Sequence, residues 1–327
     1  IMSKATILAT GGFGNIFLHS SNPELSTGDG MAMAYRAGAK LINMEYTQFH
    51  PTTLFHRDAN RFLISESVRG EGAILKNKKL EPFMEKYHEM KDLAPRDIVT
   101  RAILTEMFEK KLNYVYLDFS PIGNSKKIRD RFPHIYENCF QFNLDITKDL
   151  VPVVPAYHFS CGGIFTDKWG RTNLSRLYAI GENACTGLHG ANRLASTSLL
   201  EGVTYGYRAI KHIRKKWEKY SRIKNYQIPD WKITGEQIPD KQLIAQDWAS
   251  IKNIMWNYVG PIRNAKRLSR ALKDIHHLLD SIESFYQDCY PNKDIIELRN
   301  GVQTARVVTM AAWRNKKSIG SHYRDDN

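Results

Sequence analysis

Residues 5–10 form a short apolar run that stops at Gly11-Gly12, a pattern that predicts a buried strand entering a glycine turn. A second glycine turn, Thr27-Gly28-Asp29-Gly30, leads into residues 31–39, where small side chains at 32, 34, 37 and 39 let a helix pack closely. Farther on, the pattern becomes mixed: residues 97–109 read as a helix, 114–119 as a strand and 126–142 as another helix. Val151-Pro152-Val153-Val154-Pro155 leads back through His158 to Cys161-Gly162-Gly163, and residues 177–180 read as a strand ending at Gly181-Glu182. Apolar periodicity resumes after Ser196, Thr197 and Ser198. Beyond a linker marked by Pro229 and Pro239, residues 243–290 and 295–313 show helical periodicity without converging polar groups, which predicts a small helical bundle.

Composition adds limits. A chain of 327 residues buries a substantial core and suggests two or three domains; 42% hydrophobic and 25% charged content is that of a globular protein, with no low-complexity tract. No apolar run is long enough to cross a bilayer and the N-terminal residues lack a secretory pattern, so the expectation is a soluble cytoplasmic protein. The four cysteines lie far apart and predict reduced thiols, with neither a metal site nor a disulfide framework. The net charge of +13 falls heavily on Arg208, Lys211, Arg214, Lys215, Lys216, Lys219, Arg222 and Lys224, among Trp217, Tyr220 and Tyr226. A solvated helix end whose cations suit the C-terminal dipole accounts for this run more simply than an RNA-binding face, and part of the charge can serve anionic substrates.

The candidate chemistry lies in glycine-, proline- and serine-rich segments. His189-Gly190-Ala191-Asn192-Arg193 joins a loop carrying a planar carboxylate-binding fork to a hydroxyl-rich helix start; it reads equally as a ligand site or as an ordinary capped helix with a surface arginine. His50, Arg96 and His158 occur in comparable settings, and a dicarboxylate would need such groups. Gly12-Phe13-Gly14-Asn15-Ile16-Phe17 matches a dinucleotide fingerprint only weakly, because Phe17 stands where the third glycine should. Asp29 suits either a helix cap or a ribose or flavin hydroxyl.

Five strings carry a resemblance: Gln48-Phe49-His50-Pro51-Thr52, Arg69-Gly70-Glu71-Gly72-Ala73, Leu93-Ala94-Pro95-Arg96-Asp97-Ile98-Val99, His158-Phe159-Ser160-Cys161-Gly162-Gly163 and Gly187-Leu188-His189-Gly190-Ala191-Asn192-Arg193. In order and context they resemble the succinate dehydrogenase and fumarate reductase flavoprotein superfamily, and Ser160-Cys161-Gly162-Gly163 with the string from Arg193 to Glu201 is most similar to its L-aspartate oxidase branch. The resemblance implies an α/β plus α+β fold: a partial, Rossmann-like FAD-binding domain split over residues 1–44 and 160–228, an inserted capping domain over 45–159, and a C-terminal helical domain over 240–320. It implies non-covalent FAD, oxidation of L-aspartate to iminoaspartate in NAD biosynthesis, oxygen or fumarate as electron acceptor, and quinolinate synthase downstream. A soluble fumarate reductase or succinate dehydrogenase type of flavoprotein and a catalytically inactive remnant are the alternatives.

Residue by residue, the resemblance implies that Arg193, His158 and His50 hold substrate carboxylates with Ser65 nearby. Arg96 becomes the active-site arginine and Glu66 its proton-relay partner, since free deprotonation of an arginine is costly. Flavin-side positions are Gly11, Gly12, Asp29, Glu182, Ser198 and Leu199. The chain begins where the superfamily has its second glycine turn, so the expectation is the C-terminal part of such an enzyme. Thr197 replaces the usual asparagine, and Lys317-Ser318-Ile319-Gly320-Ser321-His322-Tyr323 departs from the arginine-bearing ending of the superfamily.

Overall fold

The first apolar run folds as β1 (Thr6–Leu8), which is half-buried to exposed and not buried as expected, and lies parallel to β8 (Leu177–Ala179), with Thr6 opposite Leu177, so both glycine turns that follow these strands leave the same end of the pair. The computed structural model describes residues 2–59, 61–222, 229–230 and 235–326; Lys224, Tyr226 and the end of the expected 160–228 segment lie outside them. Two compact units make up the chain, one of Ile1–Leu18, Asn22–Gln48 and Phe159–Asn327, the other of His19–Ser21 and Phe49–His158.

In the first unit, a three-stranded sheet runs β2 (Leu41–Ile42), β7 (Gly163–Phe165), β9 (Ala184–Cys185), with β2 antiparallel and β9 parallel to β7. Helix α1 (Asp29–Arg36) buries Met31 together with Gly30, Ala32 and Ala34, the small residues that permit close approach. Helices α6 (Thr197–Lys215) and α7 (Trp217–Ser221) follow the third glycine loop. The helical bundle comprises α8 (Lys241–Val259), α9 (Ala265–Asp288) and α10 (Lys293–Arg314). Asp240, Asn264 and Asn292 cap them, each side chain accepting a backbone N–H of the first turn, which stabilises each helix by about 1 kcal/mol. The continuous periodicity over residues 243–290 is broken at Gly260-Pro261, because proline denies the helix its next hydrogen bond.

The second unit is built on a four-stranded sheet ordered β3 (Thr47–Leu54), β6 (Val151–Ser160), β5 (Val115–Asp118), β4 (Ile74–Lys76). All of β3 and eight of the ten residues of β6 are buried, so neither strand shows the alternation of a half-exposed strand. Around the sheet lie α2 (Ser67–Gly70), α3 (Arg96–Glu109), α4 (Ser125–Arg131) and α5 (Pro133–Phe140). The single helix expected over 126–142 is therefore two. Pro133 forces the preceding Phe132 out of helical geometry and restarts the helix at its own first position.

Candidate active site

Strand β3 of the second unit delivers His50 and strand β6 delivers His158, and their rings meet edge to face at 5.5 Å. His50 is fully buried, and its Nδ1 lies 3.2 Å from the Thr52 amide nitrogen, a permanent donor. In the tautomer that accepts this N–H, the proton sits on Nε2, ready for a carboxylate. Burial, then His158, Arg96 and Arg69, hold the His50 pKa well below 6.5, so His50 acts as a neutral donor. Ser21 Oγ donates to the Tyr157 carbonyl at 3.0 Å, which leaves its lone pair for His158 Nδ1–H at 3.1 Å and fixes that ring.

Arg96 occupies the first position of α3 after Pro95. The positive end of a helix disfavours a cation there, and two carboxylates offset this: Asp97 in the first turn, and Glu66, whose Oε2 accepts from Arg96 Nε at 2.5 Å. The same carboxylate faces a second arginine. Arg69, three residues on and so on the same side of the short α2 turn, is buried, with Nη2 4.0 Å from Glu66 Oε1. Its Nη1 donates to the Asp92 carbonyl at 2.5 Å, while Nε and Nη2 have no hydrogen-bond partner among the described residues. Burial lowers the Arg69 pKa and raises that of Asp92, whose Oδ1 accepts from the Leu75 amide. Ser65 stands beside Glu66, its Oγ bonded to Ser67 Oγ at 2.9 Å. The structure thus gathers His50, His158, Ser65, Glu66 and Arg96 in one unit and adds Arg69, which lay in a quoted string but received no role. The spacing of Glu66 and Arg69 was the available signal.

Arg193 belongs to the first unit. Gln48 anchors its loop by donating from Nε2 to the Arg193 carbonyl at 2.7 Å and to Asn192 Oδ1 at 2.8 Å. The guanidinium lies 4.6 Å over the Phe159 ring and donates from Nε to Ser198 Oγ. Three further groups, given no role in the sequence analysis, hold the loop. Buried His189 places Nε2 2.7 Å from Glu201 Oε2, Thr186 donates to the other oxygen of Glu201, and Ser321 donates from both N and Oγ to the Ala191 carbonyl. The helix start also differs from a capped one: Ser196 adopts left-handed backbone (φ 67°) without a side-chain cap, Thr197 bonds back to the Leu194 carbonyl, and Ser198 serves Arg193. Asp29 does not cap either. It sits inside the first turn of α1 and accepts from Thr27 Oγ1 at 2.8 Å and from Asn300 Nδ2 at 2.6 Å.

The first unit has room for a flat cofactor against bare backbone. Gly187 and Gly190 have positive φ, and a Cβ at either would face open space, as it would at Gly11. At Gly12 the opposite holds: a Cβ would fall 2.3 Å from Glu182 Oε1, the oxygen that also accepts from the Ser160 amide at 2.9 Å. Leu199 is 83% exposed and leaves its surface available. These residues fit a flavin. The four cysteines are free and buried, and no helix among the described residues is long and apolar enough to cross a membrane.

Comparisons agree with this geometry. Residues 1–199 match the FAD binding domain family and residues 248–327 the fumarate reductase flavoprotein C-terminal family. The chain belongs to the succinate dehydrogenase and fumarate reductase flavoprotein superfamily, with the mixed α/β and helical architecture of that group. It is 45% identical to the L-aspartate oxidase of Acinetobacter baylyi over 98% of this chain and 58% of that protein. With the chloroplastic L-aspartate oxidase of Arabidopsis thaliana it shares 38% identity over 99% of this chain and 53% of the relative. A variant of E. coli quinol fumarate reductase FrdA superposes with a TM-score of 0.84 at 29% identity, covering 98% of this chain and 60% of that one. The chain therefore spans 53–61% of the length of the curated relatives it matches.

Proposed function

We propose that this chain carries the substrate- and flavin-facing residues of an FAD-dependent oxidation of L-aspartate to iminoaspartate, the entry to NAD biosynthesis. The observation that carries the reading is Glu66 set between two guanidiniums, 2.5 Å from Arg96 Nε and 4.0 Å from Arg69 Nη2, in the unit that also holds the His50 and His158 pair. Positive and donor groups of this kind suit carboxylates. Arg193 is assigned one substrate carboxylate, which its planar fork can take in bidentate fashion. His50 Nε2–H, His158 and Ser65 are assigned carboxylate contacts in their own unit.

FAD, when bound, supplies the acceptor for the hydride equivalent lost from the α-carbon. Gly11, Gly12, Asp29, Glu182, Ser198 and Leu199 are assigned to hold it, Asp29 and Ser198 through their backbone or after exchanging the protein partners described above. Arg96 stabilises charge at the reacting centre, and Glu66 Oε2 receives or returns a proton at Arg96 Nε, so the guanidinium is never left deprotonated in isolation. Arg69 positions Glu66 from its other oxygen, with Nη2 4.0 Å from Oε1. The domain limits expected from the sequence go with this reading, as do oxygen or fumarate as acceptor, quinolinate synthase as consumer of the product, and a cytoplasmic location.

The similarity to fumarate reductase supports a second reading, reduction of fumarate or oxidation of succinate at the same residues. Anaerobic mixing of the FAD-loaded protein with L-aspartate separates them. Bleaching of the flavin by L-aspartate supports the oxidase; bleaching by succinate alone supports the second reading; bleaching by neither, with FAD stoichiometrically bound, makes the chain an inactive relative.

A further inference from the structure

Of the cationic run that the flavin chemistry does not use, Lys216 and Lys219 line a cavity of about 520 Å³ within the first unit, between the Asp167 to Arg176 loop and the end of α6 with α7. Its charges are not all matched. Arg171 is neutralised by Asp167 through Nε at 2.7 Å and Nη2 at 2.6 Å. Arg176, Lys216 and Lys219 also line the cavity, and none of them has a carboxylate partner among the described residues. Arg176 instead packs over the Tyr220 ring, 5.7 Å from its centroid.

Behind these cations lies a buried hydrogen-bonded row. Tyr178 Oη is 2.8 Å from His212 Nδ1 and 3.0 Å from Tyr220 Oη, and all three residues line the cavity while being less than a tenth exposed. The row has three proton arrangements; in one, both neighbours donate to Tyr178, whose own hydrogen is then left to give. If Tyr220 donates to Tyr178 and Tyr178 to His212, the imidazole carries its proton on Nε2. If His212 donates to Tyr178 and Tyr178 to Tyr220, the Tyr220 hydroxyl has its own hydrogen left to give. In every arrangement the row keeps one donor beyond its internal bonds, which an acceptor in the cavity these residues line can take up. A polyanion supplies acceptors and matches the three unpaired cations together.

We propose that this cavity is a second ligand site, separate from the flavin and substrate residues, that binds a small phosphate-bearing polyanion. Its size is that of a small-molecule site, and its walls are loop and helix end, not the continuous open stripe that a nucleic acid would need.

The test is calorimetric titration of the full chain with inorganic pyrophosphate, alongside a mixed-sequence single-stranded oligonucleotide. The expected result is one pyrophosphate per chain, with Kd weakened about tenfold or more by R176A/K216A/K219A, since each truncation removes a charge-assisted hydrogen bond to the anion. Tyr220→Phe, which keeps the ring under Arg176, should weaken binding by a smaller factor. R208A/K211A, removing two charges of α6 that do not line the cavity, should change Kd less than about twofold. Equal weakening by the two charge-removing variants would reduce the site to a diffuse field and overturn the proposal. So would pyrophosphate binding that succinate displaces and the triple variant leaves unchanged, binding of the oligonucleotide alone, or no binding of pyrophosphate by the parent chain.

Discussion

Arg69 and Arg263 are both buried arginines, yet the chain uses them in opposite ways. Arg263 follows the Gly260-Pro261 break at the end of α8. Its Nε donates to the Val259 and Gly260 carbonyls at 3.0 Å, Nη1 to the Glu45 carbonyl and His322 Nδ1 at 2.7 Å, and Nη2 to Thr47 Oγ1 at 2.7 Å. Burial pulls its pKa down to about 10, so it stays charged at neutral pH, held by neutral oxygens and the negative end of a helix. Arg69 has one bonded nitrogen and two with no hydrogen-bond partner among the described residues. A buried cation with every guanidinium nitrogen bonded is a fastener, whereas one with nitrogens to spare, beside a shared carboxylate, suits a site. Burial alone does not tell them apart.

The largest effect should come from Arg263→Leu. It strands several buried carbonyls at about 1–3 kcal/mol each, so unfolding free energy should fall by about 3 kcal/mol or more in denaturant titration. A loss under about 1 kcal/mol would show that the network is ornamental. On the other side of the comparison, Arg96→Leu should leave stability nearly intact while slowing anaerobic flavin reduction by L-aspartate about 100-fold, measured per bound FAD. A parental rate would make the Arg96–Glu66 pair a structural tie.

How much of this was legible in the sequence depended on the type of signal. Periodicity showed α1, α3 and the bundle because apolar positions repeat there and little competes with them. It hid β3 and β6, whose residues are buried on both faces and which contain Pro51, Pro152 and Pro155, residues that argue against an interior strand. Yet these strands position His50 and His158. The residues proposed for the site stood out as short strings, through resemblance, because each string keeps its residues in local order whatever element it folds into. Arg263, His189 and Ser321 were not: their partners, Glu45 and Thr47, Glu201 and Ala191, are set by the fold, and no local spacing announces them. The tail that departs from the superfamily pattern still ties down the Arg193 loop, through Ser321 and not through an arginine.

Arg193 offers a milder test of the same distinction. Its guanidinium is shared among Ser198, Gln48 and the Phe159 ring, so Arg193→Lys retains a charge but loses the fork and the stacking plane. The expected outcome is a fall in kcat/KM for L-aspartate of about tenfold, the equivalent of one charged hydrogen bond, without a matching loss of stability. If kcat/KM is unchanged, Arg193 is a loop anchor, like Arg263.

The last test concerns pH, and it separates fasteners from sites without any catalytic assay. Arginine only donates, so His322 Nδ1 must accept from Arg263 while its Nε2–H donates to the Asn315 carbonyl at 3.1 Å; the bonded state is the neutral ring. Burial first and Arg263 second depress its pKa from 6.5 to about 4. His19 repeats the arrangement in the other unit, with Arg61 Nε donating to its Nδ1 at 3.1 Å and its pKa pushed down to about 3, again by burial first. The unfolded chain takes up these protons near pH 6.5 and the folded chain does not, so the stability each ring contributes is complete above 6.5 and declines as the pH falls toward 4 for His322 and toward 3 for His19. Carboxylates titrate in part of this window too, so the measurement is a difference: unfolding free energy at pH 7 minus that at pH 4.5, parent against His322→Gln and His19→Gln. Glutamine can accept from the arginine but takes up no proton, and each variant should therefore lose less stability on acidification than the parent. An identical loss in parent and variants would mean that these rings are protonated in the fold at pH 4.5, and the arginine-to-imidazole fastening would have to be given up.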